Sequence, residues 1–154
     1  LHGLGQTEQD WKEVVCQLSS SNVDCPELFS SMENEISYPQ ILGDLEGGIH
    51  VKEPLRICGL SLGALLAIDF AIRHEEKVDS LVLIGAQYKV PSLLIDFQNL
   101  IFRCMPNKAF DSMGLSKSNT IKLAHSMRSL DFTAQLNNIL CPVTILCGKR
   151  ILPI

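Results

Sequence analysis

The pentapeptide Gly59-Leu60-Ser61-Leu62-Gly63 constrains this chain more than any other feature. Leu55-Arg56-Ile57-Cys58, introduced by Pro54, reads as a short strand before it, and Ala64 to His74 follows, apolar nearly all round. A helix of that kind is buried on most of its faces, so strand, bend and helix are predicted at the centre of the domain. A sharp strand-to-helix bend lifts Ser61 clear of the sheet, while glycines at 59 and 63 leave room where a Cβ would press on the neighbouring strand or helix. A serine hydroxyl becomes a nucleophile once a base takes its proton and its geometry is fixed. The amide of Leu62, at the helix start, is placed to stabilise a developing oxyanion. The plainer alternative has Ser61 merely capping the helix; the flanking run ICGLSLGALLA favours the first reading.

A loop at the beginning of the chain, His2-Gly3-Leu4-Gly5, is the second signal. An oxyanion site needs two donors, and the Leu4 amide can supply the one that Leu62 lacks. By itself HGLG reads equally well as a flexible terminus; joined to the pentapeptide, it reads as a donor loop with His2 as organiser and not as base.

The remaining pattern is α/β. Trp11, Val14, Val15 and Leu18 have helical spacing over Glu8 to Leu18, with Thr7 as N-cap and Glu8 and Asp10 in the first turn. Val23 to Leu28 is a strand candidate ending near Cys25, 29–37 reads as loop, and Tyr38 to about Val51 as a helix weakened by its glycines. Leu81-Val82-Leu83-Ile84 is a continuous run typical of a parallel strand covered on both faces. Residues 91–135 hold helix-like blocks rich in Phe and Met, and Val143 to Cys147 is the next strand. Strand, helix and strand followed by a helical insertion imply a mostly parallel sheet with flanking helices.

Composition narrows the function. With 154 residues, 46% of them hydrophobic and 19% charged, the chain can bury a core, which excludes disorder. A net charge of −4 argues against nucleic acid as partner. The apolar runs fall short of the roughly 18–20 residues of a membrane span, and the first residues lack the pattern of a signal peptide. The six cysteines show no CxxC pairing; we read them as reduced, buried small hydrophobes, and place the chain in the cytoplasm. No metal-ligand spacing, phosphate loop or dinucleotide fingerprint is present, so neither metal nor cofactor is expected.

HGLG at 2–5, the Trp-bearing helix at 8–18, CPEL at 25–28, GLSLGA at 59–64, LVLI at 81–84 and CPVTILCG at 141–148 resemble the α/β-hydrolase superfamily, and LVLIGAQYKVPSLLIDFQNLIFRCMP is similar to small hydrolases of Gram-positive bacteria with unassigned substrates. The resemblance implies an incomplete hydrolase core at 1–89 and 139–154 and a helical cap at 90–138. It also implies Ser61 as nucleophile toward an ester or related acyl substrate, with an oxyanion hole from the amides of Leu4 and Leu62. His2, Gly3, Gly5, Gly59 and Gly63 would support the loop and bend. Its acid should follow a late strand, yet Ile151 stands there, Gly85-Ala86-Gln87-Tyr88 offers no carboxylate, and no later strand brings a His. The chain therefore reads as the middle of such an enzyme, cut at both ends, with sheet edges that favour self-association. His50, His74 and His125 read as helix-terminal or solvated, Asp69 as a helix-surface charge, and Asp96 as a cap residue without assigned role. Leu93, Leu94, Phe97, Phe102, Met105, Phe110 and Met113 read as cap packing before pocket lining. A non-catalytic pseudo-hydrolase, an acyltransferase and a C–C hydrolase stay open as alternatives, since function lives in the site and not in the fold.

Overall fold

The computed structural model describes residues 1–18, 22–29, 36–50, 53–110 and 114–148. Three parallel strands, β1 (Leu55–Leu60), β2 (Val78–Ile84) and β3 (Val143–Leu146), form one sheet in the order β1-β2-β3. Register places Leu60 beside Ile84 and Ile84 beside Leu146, so the three strands end level. Helix α3 (Leu62–Arg73) connects β1 to β2, and every residue from Leu62 to Ala71 is buried. Burying one such Leu, Ile or Phe side chain contributes about 1.5–3 kcal/mol, so α3 is the main anchor of the fold. Helix α2 (Tyr38–Gly48) buries Tyr38, Ile41 and Leu42. Helices α4 (Ser92–Cys104) and α5 (Lys117–Ser126) lie between β2 and β3 in sequence.

Polar contacts tie the helices together. The Ser126 hydroxyl accepts the Tyr38 amide at 2.8 Å and donates to Leu123 O at 2.7 Å, satisfying a first-turn donor of α2 from the end of α5. The Tyr38 hydroxyl lies 3.1 Å from Leu65 O and 3.2 Å from Asp69 Oδ2. Asp69 is not the surface charge expected from its position on α3: it is 6% exposed, and Arg73 Nε donates to its Oδ1 at 2.7 Å. A carboxylate is tolerated there because it is paired and hydrogen-bonded.

Several other expectations are corrected. The helix read over Glu8 to Leu18 divides into a 3-10 turn, Glu8–Trp11, and helix α1, Lys12–Gln17. Thr7 does cap it, its amide donating to Asp10 Oδ2 at 2.8 Å. Val14 and Leu18 remain exposed, so the spacing does not translate into burial. Val23 to Cys25 forms no strand: the side of β1 away from β2 is met by Leu1, whose carbonyl accepts Leu60 N at 3.1 Å, and a strand without a ladder has nothing to fix it. Strand β2 begins three residues before Leu81, and only Val78, Leu81 and Leu83 are buried, with Val82 and Ile84 half-buried, so the run at 81–84 is fully covered on one face only. The cysteines are all unpaired, but Cys16, Cys104 and Cys147 are exposed and the other three half-buried, so none is the buried hydrophobe expected. Part of the 29–37 loop and the position of Ile151 fall outside the described residues.

Candidate active site

Strand β1 ends at Leu60 and α3 starts at Leu62, which leaves Ser61 alone to make the bend. Its backbone sits at φ 52°, ψ −108°, and it is the one non-glycine residue with positive φ among the described residues. Such a conformation costs about 1–3 kcal/mol and persists only where the surroundings hold it. Here they do so from both sides. Ser61 N donates to Ile84 O at 2.9 Å, keeping the residue in the ladder with β2. Its carbonyl accepts Ala64 N at 3.0 Å and Leu65 N at 3.1 Å, opening the helix. The side chain stands exposed above the carboxyl ends of the strands, the edge where open α/β sheets bind ligands.

The two outer glycines explain how the bend fits. A Cβ on Gly59 would run into the backbone of Gly63 and Ala64, and one on Gly63 into the backbone of Leu1 and His2. Gly59 thus allows α3 to approach β1, while Gly63 allows the start of the chain to approach α3. Leu62 N and Gly63 N find no backbone acceptor among the described residues; these are the orphan donors of a helix N-terminus.

The HGLG loop lies beside this bend. Leu1 N donates to Cys58 O at 2.5 Å, and a Cβ on Gly3 would come 3.0 Å from the Leu60 side chain. Gly3 O accepts Gln6 N at 3.2 Å, forming a turn over Leu4 and Gly5, with Gly5 at φ 82°. The Gln6 side chain closes it, Oε1 accepting Gly3 N at 3.0 Å. His2 is 1% exposed and braces the loop from below. Its Nδ1 lies 3.0 Å from Gly3 O, Leu28 N donates to its Nε2 at 3.0 Å, and its ring meets Phe29 edge-on. Glu27 Oε1 lies 3.1 Å from the same Nε2, and Glu27 Oε2 accepts Glu8 N at 3.2 Å. Gln6 and Glu27 were missed in the sequence: a side chain reaching back over a turn, and one contacting a residue 25 positions away, leave no periodic trace.

The bend and loop come together; His50, His74, His125 and Asp96 do not join them. His74 caps the far end of α3, whose 12 residues span about 18 Å, and its Nε2 pairs with Glu46 Oε1 at 3.0 Å. His50 and His125 are exposed. Asp96 is exposed and held by Arg128 at 2.9 Å through both oxygens, which keeps its carboxyl below the usual range. No described side chain hydrogen-bonds the Ser61 hydroxyl. Burial pushes the Cys58 thiol up, so it offers no competing thiolate behind the bend. Among the described residues no cluster of His, Cys, Asp and Glu could hold a metal. An open groove of about 880 Å³ lined by Asn107, Phe110, Leu115, Lys117 and Ile121 shares no residue with the bend or loop.

A parallel sheet covered by helices, with Gly-x-Ser-x-Gly at the carboxyl edge of β1, defines an α/β hydrolase. Solved structures share the fold. MGS-M2, an α/β hydrolase enzyme from a Medee basin deep-sea metagenome library, superposes with a TM-score of 0.71 at 16% identity, covering 94% of this chain and 68% of that one. A hydrolase from Pseudomonas aeruginosa PA01 gives 0.71 at 15%, covering 96% and 69%. A lipase-esterase related protein from Clostridium acetobutylicum gives 0.59 at 15%, covering 94% and 71%. The chain belongs to the serine aminopeptidase S33 family of α/β hydrolases, which it matches over residues 40–149. No curated protein sequence matches it significantly.

Proposed function

We propose that this hydrolase uses Ser61 as a nucleophile toward an ester or related acyl carbonyl. Ser61 Oγ adds to the carbonyl carbon, the tetrahedral oxyanion rests on the amides of Leu62 and Leu4, and the ester C–O bond breaks with the serine's proton ending on the departing alcohol; water then hydrolyses the acyl-enzyme, releasing the acid and restoring the Ser61 hydroxyl. The observation that carries the reading is the exposed Ser61 at φ 52° on a bend gripped by Ile84 O and by α3. His2, Gly3 and Gly5 shape the donor loop in this reading, and Gly59 and Gly63 its approach to the bend. The name of the Clostridium relative, a lipase-esterase related protein, favours an ester over a peptide. In this reading residues 90–138 are the cap and 1–89 with 139–154 belong to the hydrolase core, and six unpaired thiols support a reducing, cytoplasmic setting. No cofactor takes part. The exposed β3 edge supports association between copies.

A second reading, a non-catalytic acyl-compound binder, is favoured by one observation: no described base or acid reaches Ser61. Triad members act as a unit, and loss of the base costs on the order of 10⁶ in rate. A fluorophosphonate probe separates the two. Labelling of the folded protein that disappears in Ser61→Ala supports an activated hydroxyl; a folded protein that stays unlabelled supports the binder.

A further inference from the structure

Helix α4 is turned the wrong way for a core helix. Its buried side carries Ile95, Asn99 and the half-buried Phe102, whereas Leu93 is 81% exposed and Phe97 and Leu100 are each 59% exposed. Leu94 and Ile101 are exposed beside them. Positions 93, 94, 97, 100 and 101 fall on one face at 3.6 residues per turn, so these side chains form a single apolar stripe facing solvent. The packing on the sheet expected of Leu93, Leu94 and Phe97 is thus corrected: all three are exposed.

The segment that carries the stripe is also more basic than the rest of the chain. From Asp96 to Asp131 stand five basic residues, Arg103, Lys108, Lys117, Lys122 and Arg128, against three acids, Asp96, Asp111 and Asp131, in a chain of net charge −4. Asp96 is already held by Arg128. Lys117 Nζ caps the end of α4, donating to Arg103 O at 2.8 Å and Met105 O at 2.7 Å. Arg103 lies at that same end, and Lys108 lies in the 3-10 turn just beyond it.

We propose that α4 is an interfacial helix that docks this protein on an anionic lipid surface. Leu and Phe on one face of a helix with basic residues beside them is the composition that settles into the boundary between headgroups and acyl chains. The charge disfavours a second copy of the chain as the occupant. A second copy meeting the stripe would bring the same basic residues and an Asp96 already paired, so like charges would gather at the contact. Anionic headgroups would neutralise them. The helix, at 13 residues, lies on the surface and does not cross it. The inference is independent of the Ser61 chemistry, and it can fail while that chemistry stands.

Flotation of the full chain with phosphatidylcholine vesicles, with and without phosphatidylglycerol, tests this. The protein should float with the phosphatidylglycerol vesicles and at least tenfold less with phosphatidylcholine alone. Phe97→Asp with Leu100→Asp should abolish flotation while circular dichroism and Ser61 labelling stay unchanged, because both side chains are exposed. Arg103→Ala with Lys108→Ala should weaken binding to the anionic vesicles by about fivefold per charge removed. The proposal is overturned by absent flotation of the folded protein, or by equal binding to the two vesicle types. It is also overturned by flotation that survives the aspartates, or by an assembly in solution that the aspartates dissolve without any vesicle binding.

Discussion

Ser61 has little freedom to be anything but a bend. Ile84 O holds its amide and two α3 amides hold its carbonyl, while Gly59 and Gly63 keep backbone where side chains would otherwise go. Gly63→Ala should therefore destabilise the protein by about 1–3 kcal/mol, the usual range for overpacking, because the obstructing atoms are backbone and cannot swing away. Urea denaturation would measure the loss, and fluorophosphonate labelling should fall with it. The bend was legible in the sequence because five adjacent residues encode it. Asp69 was not, since its burial depends on Tyr38, 31 residues earlier. Burial, and then the neighbouring Asp69, raise the Tyr38 hydroxyl above its ordinary range. A group whose pKa is raised by folding gives stability that is whole below about pH 10, the unfolded value, and is lost as pH climbs past it. Tyr38→Phe should cost about 1 kcal/mol at pH 7 and remove that alkaline sensitivity, as melting curves at pH 7 and pH 11 would show.

Element by element, β1, β3 and α3 followed their apolar runs closely, whereas β2 began earlier and the strand expected at Val23 to Cys25 did not form. Two helices departed in what they bury. Helix α1 has the expected spacing but leaves Val14 and Leu18 in solvent, and α4 presents its richer apolar face outward. Periodicity states that a face exists and is silent on which neighbour covers it. Strand β3 extends the same point to the sheet. All four of its residues are exposed, Ile145 at 65%, and none carries a charge to guard the edge. Ile145→Lys should therefore alter thermal stability by no more than about 0.5 kcal/mol, as for a surface site. It should also reduce the concentration-dependent mass seen by light scattering; a mass independent of concentration in the unsubstituted chain would remove the case for edge pairing.

At the scale of the molecule, β2 is the only strand among the described residues with a partner strand on both sides. The family was legible from motifs lying on the sheet and its loops, while the docking helix and the brace on His2 came only from three-dimensional packing. The level strand ends also form a short chain of dependence: Leu146 O holds Gly85 N, and Ile84 O, one residue back, holds Ser61 N, each at 2.9 Å. The outermost and least protected strand is thus two steps from the Ser61 amide. If β3 frays, Gly85 loosens first and the grip on Ser61 weakens next. Amide hydrogen exchange should then run faster at Gly85 than at Ser61, and Ile145→Pro, by unpicking the outer rung, should speed both. A disturbance far out on the rim would be felt at the centre without touching it.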